Sequence, residues 1–364
     1  MLTARGSHRW LPACAARSLK SNVFPSNEPI DLLLCIVDHF EPGWGGASSN
    51  QAAQRVQRWV TAYPKLFQRF RDSDGVSPRH TFFYPLEMYK SGEVAELAKL
   101  CRPGCGEVEV HLHHDKDNPE NLCRTLQDYC RRIRDEHGLL SHDRKGSAIR
   151  FGFAHGNWAL DNSRPDGRWC GVNNELDILR ESGCYADFTF PSYPSPTQTR
   201  KINSIYYAID DPIRPKSHDS GQNVGDGPQP RDSLMLIQGP LILNWHSPRL
   251  GLFPRIENGN LQASQPPAPY RLDLWLNARV QIRTRPDWFF VKLHTHGAVE
   301  ANEKVLLGPE MVQFHEDLAC RSEADPNFRY HYVSAREMYN LVRAAESGWK
   351  GSVKDARDFE LILH

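Results

Sequence analysis

Short apolar runs alternate along this chain with longer stretches in which apolar residues recur every three or four positions. The runs at 30–37, 80–84, 107–112, 149–154, 185–190, 204–209, 287–293 and 329–333 have the length of buried strands. Between the first two lies 51–71, where Val56, Trp59, Val60, Tyr63, Phe67 and Phe70 make one apolar helical stripe. The segment 121–137 repeats the pattern with Leu122, Leu126, Tyr129 and Ile133, and Gly138 can take the left-handed conformation that stops a helix. The segment 174–182 ends the same way at Gly183, and Ser334 with Glu337 has the spacing of a capping box opening a helix to about 344. Strands and helices alternating in this manner predict an α/β fold with a parallel sheet. Eight strand candidates predict a distorted TIM-like barrel of the (β/α)7-8 kind.

Two segments break the rhythm. Residues 210–231 are crowded with Pro, Gly, Asp and Ser, and 265–269 is proline-rich. Between them the stretch SLMLIQGPLILNW has two apolar halves around Gly239-Pro240 and predicts a hairpin, so 210–270 reads as an insertion into the barrel. The expected organisation is a disordered tail at 1–28, the barrel at 29–350 with that insertion, and an extension at 351–364.

Composition narrows the function. Lys plus Arg and Asp plus Glu both number 44 in 364 residues, so no net field draws the chain to nucleic acid or an anionic membrane. The longest apolar run suits a strand and falls short of a membrane span. Nine cysteines without zinc-ribbon spacing argue for reduced thiols. With no clear export signal, a cytoplasmic location is the expectation. Oligomeric state is left open.

Polar residues cluster where these strands end, and in α/β folds the C-terminal strand ends converge on one mouth. The first strand ends in Asp38-His39 followed by Glu41, and the third in His111, His113, His114 and Asp115. The fourth ends in His155, Asn157 and Trp158, and the seventh in His294 and His296. Residues two apart on a strand share a face, so His111 and His113 can present imidazoles to one point, with Asp115 following in the loop. Imidazoles with a carboxylate suit zinc, or nickel, cobalt or iron, better than calcium or magnesium. A histidine facing such an ion is suited to give up a proton near neutrality, which points to His294 or His296.

In order and spacing these motifs resemble the polysaccharide deacetylases of the NodB-homology type, over roughly 30–341. Where those proteins carry an Asp-Asp pair, this chain has VDHFEP: Asp38 matches the general base, and His39 stands where an aspartate binds metal. EVEVHLHHD matches the His-containing second motif, with His111 as one ligand and His113 or Asp115 as the next. FAHGNW matches the groove-lining third motif through Trp158 but lacks its arginine and proline, and VKLHTHG matches the motif that carries the general acid. The resemblance implies a metal-dependent removal of an acetyl group from an N-acetylated sugar in an oligo- or polysaccharide or its precursor. It implies a carbohydrate substrate stacked on aromatics such as Trp158 and Trp44, with His155 and Asn157 beside them. Two other outcomes fit the same residues: a metal-dependent glycoside hydrolase using Glu41 or Asp187, and a catalytically silent carbohydrate-binding barrel.

Overall fold

The structure, a computed structural model, describes residues 7–20 and 29–363. In chain order its strands begin with β1 (Ile30–His39), β2 (His80–Pro85), β3 (Gly106–Leu112), β4 (Ser141–Asp143) and β5 (Ile149–His155). There follow β6 (Cys184–Asp187), β7 (Ile205–Ile209), β8 (Gln222–Asn223), β9 (Ser233–Ile237) and β10 (Ile242–Arg249). The last are β11 (Phe253–Glu257), β12 (Asn260–Leu261), β13 (Trp288–Thr295), β14 (Phe328–Tyr332) and β15 (Leu361–Leu363). The main helices are α1 (Leu11–Lys20), α2 (Ser49–Phe67), α3 (Ser91–Leu100), α4 (Pro119–His137), α5 (Glu175–Glu181), α6 (Pro269–Asn277), α7 (Glu300–Leu306), α8 (Pro309–Ala324) and α9 (Ala335–Glu346).

One large sheet runs β12-β13-β1-β2-β3-β5-β6-β9-β7-β8, with β14 alongside the first half of β1. From β12 through β9 the neighbours are parallel, while β7 and β8 join antiparallel at the far edge. The fold is therefore α/β around a mostly parallel sheet, and barrel closure is not seen: no ladder joins β8 to β12 among the described residues. The segment 204–209 is a strand, yet it lies antiparallel between β9 and β8, because an apolar alternation specifies a buried face and not a direction. The two halves around Gly239-Pro240 likewise do not pair with each other. The first enters the main sheet as β9, and the second pairs with β11.

Each face of the sheet has its own core. Leu32, Leu34 and Ile36 of β1 pack with Val56, Trp59, Tyr63 and Phe67 of α2 and with residues of α3, α4 and α8. Leu33, Cys35 and Val37 face the other way, onto Met338, Leu341 and Val342 of α9. Helix α9 starts at the capping box of Ser334 and Glu337, and α4 starts at Asn118, whose side chain accepts from the Asn121 N–H, and ends at left-handed Gly138. No helix among the described residues is long and apolar enough to cross a membrane.

The N-terminal segment departs from the expected tail. Residues 7–20 form a 3-10 turn and α1, in which Trp10 is buried edge-on to Tyr193 at 5.3 Å and the Cys14 thiol reaches the Leu241 carbonyl. Trp10 and Cys14 are four residues apart and so share a helical face, which docks on the β10 region. The rest of that expectation, 1–6 and 21–28, lies outside the described residues.

The base of β1 carries a testable ion pair. Asp31 accepts from Arg329 Nε and Nη2, at 2.7 and 2.8 Å, and lies 2.9 Å from His331 Nε2. Burial pushes its carboxyl upward, but these partners outweigh that and hold it at about 2. A depressed carboxyl stabilises the fold above its unfolded value near 4, and that stability is lost as pH falls toward 2. Asp31→Asn should therefore lower the unfolding free energy by about 2 kcal/mol at pH 6 and by much less at pH 2.5, read from urea midpoints.

Candidate metal centre

Strand alternation sends Asp38 and His39 to opposite faces of β1. Asp38 goes with Leu34 and Ile36 to the α2 side, where it is wholly buried. It accepts from the Gly297 N–H at 2.6 Å and contacts His80 Nε2 at 2.8 Å, while the indole of Trp59 donates to the Gly297 carbonyl. A Cβ at Gly297 would lie 2.1 Å from the Asp38 carboxylate, so only glycine permits this approach. Asp38 thus lies on the face of β1 opposite His39, outside the groups that could hold an ion, and holds the turn after β13 where the resemblance implies a general base.

His39 goes to the other face and meets His111, His113, His296 and Glu41 at the C-terminal rim of the sheet. The ring of His39 is 4.7 Å from His111 and 5.0 Å from His296, and His111 is 4.6 Å from His113. Glu41 lies 3.3 Å from His111 Nε2 and 3.6 Å from His113 Nε2. Two donor groups result, His39-Glu41-His296 and Glu41-His111-His113, and in each the ligand atoms lie within 4.8 Å of one another. They share Glu41. His39, Glu41 and His111 are buried, whereas His113 and His296 are partly open to solvent. Trp44 and Trp158 stand at the rim, 6.2 and 5.9 Å from His296.

The hydrogen bonds orient each ring of this cluster. His111 Nδ1 is 2.6 Å from the Ala154 carbonyl, which can only accept, so Nδ1 donates there and Nε2 faces Glu41. His113 Nδ1 is likewise 2.6 Å from the Glu87 carboxylate. Both Nε2 atoms then point at the Glu41 carboxylate, whose charge either protonated rings or a shared cation would balance. Burial would lower His113, but Glu87 and Glu41 outweigh it and raise it above the ordinary imidazole value. The second oxygen of Glu41 is buried without a partner. Burial, then the neighbouring His111 and His296, lowers His39 far below the ordinary imidazole value and keeps it neutral for ligation. Burial would raise Glu41, but the His111 contact and the surrounding imidazoles outweigh it and keep it a carboxylate.

Carboxylate-backed imidazoles are the usual outer support of metal ligands. Glu87, from the turn after β2, supplies it here and also accepts from the His113 N–H at 3.2 Å. Gly156 makes room for the ring, since a Cβ there would lie 2.4 Å from it. Glu87→Gln should weaken metal affinity about 10- to 100-fold without unfolding the chain, read by competition with a chromophoric chelator.

The remaining candidates fall elsewhere. His294 lies one pleat deeper, fully buried, with Nδ1 unpartnered. Burial, then Lys292 and His296, lowers it far below the ordinary value; burial lowers His296 as well, and what separates the two is that His296 reaches the rim. Asp115 is exposed and accepts from the Trp169 N–H at 2.6 Å, away from His111, so of His113 and Asp115 it is His113 that joins the cluster. His155 is not at a surface where substrate could touch it; it is wholly buried against His114 at 2.9 Å. Asn157 and Trp158 both adopt left-handed backbone, at φ 55° and 56°, and this turn carries the Trp158 ring to 6.3 Å from His39. Asp187 is buried and accepts from Thr189, which removes it from any solvent-facing carboxylate pair. Glu87 was not singled out from sequence, although it is the first acidic residue after the end of β2, the same signal that marked the other strands. No family model matches the chain, and a comparison with curated proteins finds no significant match.

Proposed function

We propose that this chain is a metal-dependent hydrolase that removes an acetyl group from an N-acetylated sugar. The observation that carries the metal is the convergence of His111 and His113 Nε2 on one carboxylate whose other oxygen is buried without a partner. Glu41, His111 and His113, with His39 beside them, are the residues that would hold the ion, and this donor set suits zinc or a neighbouring first-row ion. When bound, such an ion polarises an amide carbonyl and acidifies water. The free oxygen of Glu41 takes the proton from the attacking water. His296, partly open at the rim, gives a proton to the departing amine. Trp44 and Trp158 flank the opening, where their faces can stack on a sugar ring. The deacetylase assignment draws on the order of motifs along the chain, while the open, aromatic-rimmed centre supports hydrolysis in general.

The test is to measure metal content of the purified protein and then released acetate and released reducing sugar from N-acetylated oligosaccharides. Metal-dependent acetate release that a chelator abolishes supports the proposal. Reducing sugar without acetate would make the chain a glycoside hydrolase, and absence of both metal and turnover would make it a binding protein.

A further inference from the structure

We propose a second, closed cation site, structural in kind, formed by His114, His155, Cys170 and Glu175. Its four ligand atoms lie within 4.8 Å of one another, and none belongs to the rim cluster. The donors come from separate segments: His114 after β3, His155 at the end of β5, Cys170 in the long loop that follows, and Glu175 at the start of α5. His155, Cys170 and Glu175 are wholly buried, and the His114 side chain is only 6% exposed. Nitrogen, sulfur and oxygen donors in a closed shell of four are what structural zinc takes, in contrast with the open rim centre.

The surroundings of each donor support the assignment. His114 Nδ1 is 3.1 Å from Asp117, and His155 Nδ1 is 2.5 Å from the Gly156 carbonyl, so both rings turn Nε2 inward, 2.9 Å apart. Two Nε2 atoms facing each other need either a proton or a cation between them. Glu175 offers one oxygen at 3.1 Å from His114, while its other oxygen is held by the Asp161 N–H at 2.6 Å. The Cys170 sulfur accepts from two backbone N–H groups, of Asn162 at 3.3 Å and Val172 at 3.4 Å. Burial, then Glu175, raises the Cys170 thiol to about 11, and it donates to Glu175 at 3.4 Å, so ligation would displace that proton. Ligand atoms of a tetrahedral zinc shell lie roughly 3.3–3.8 Å apart, so the two imidazoles need to part by only a few tenths of an ångström.

The consequence is a staple. The loop from β5 to α5 bends through left-handed backbone at Asn157, Trp158, Asp161, Asn162 and Trp169, and it carries Trp158 to the rim. An ion joining its two ends and its middle would fix that loop and the tryptophan with it.

Cobalt separates this site from the rim centre, because only this site has sulfur. The full-length chain loaded with Co(II) is expected to show a thiolate-to-cobalt charge-transfer band in the near ultraviolet. The band should persist in Glu41→Gln, which disables the rim centre, and vanish in Cys170→Ser. Absence of the band in the wild type, or its survival in Cys170→Ser, would overturn the proposal in favour of a proton shared by His114 and its neighbours. Should Cys170→Ser not fold, X-ray absorption of the zinc-loaded wild type decides instead: a sulfur scatterer supports the site, and a shell of only nitrogen and oxygen overturns it. Loss of acetate release would leave this result untouched.

Discussion

Glu41→Gln should abolish metal-dependent turnover, lowering it roughly 10²- to 10⁴-fold while the fold is retained. The substitution keeps shape and volume, so the rim does not collapse. It removes the only carboxylate common to both donor groups. In its place stands a neutral amide, which holds a cation less well than a carboxylate does. Bound metal measured after gel filtration should fall in step with activity, whereas the urea midpoint should change little. A variant that kept both its metal and its turnover would show that Glu41 neither ligates nor moves a proton.

Asp38→Ala should have its main effect on stability, on the order of 3 kcal/mol, because the Gly297 N–H and His80 lose a buried charged partner together. The turn that presents His296 would loosen, so activity falls with stability. Asp38→Asn separates this role from catalysis. Its amide oxygen can still accept from Gly297, so most turnover should survive, with the acidic limb of the pH–rate profile in place. If Asp38 were the general base, that limb would disappear and turnover would fall as far as in Glu41→Gln. Chemical denaturation and a pH–rate profile of the same variant discriminate the two roles.

The contrast between these two acids shows what local pattern can and cannot give. Asp38 and His39 are adjacent and both end β1, and the resemblance puts both in one site. On a pleated strand adjacent side chains diverge, and the structure sends one to the helices and the other to the rim. His111 and His113, two apart, share a side for the same reason. Asp115 had the right chemistry but lies past the strand, where its direction depends on the loop and on Trp169, 54 residues away. Glu41 stands 70 residues from His111, and Cys170 reaches its partners from a loop without periodicity, so neither contact has a local signature.

From sequence alone came eight of the strands, the helices α2, α4, α5 and α9, the stripe of α2, the capping box of α9 and the gathering of histidines at strand ends. All of these rest on periods of two or 3.6 residues and on short-range backbone bonding, which a segment carries within itself. Tertiary structure decided the rest: the open antiparallel edge in place of a closed barrel, the docking of α1, the turning away of Asp38, and the two clusters of ligands. Those depend on which distant strands pair and in which direction, and many pairings bury the same apolar faces, so only the packing of the whole chain selects among them.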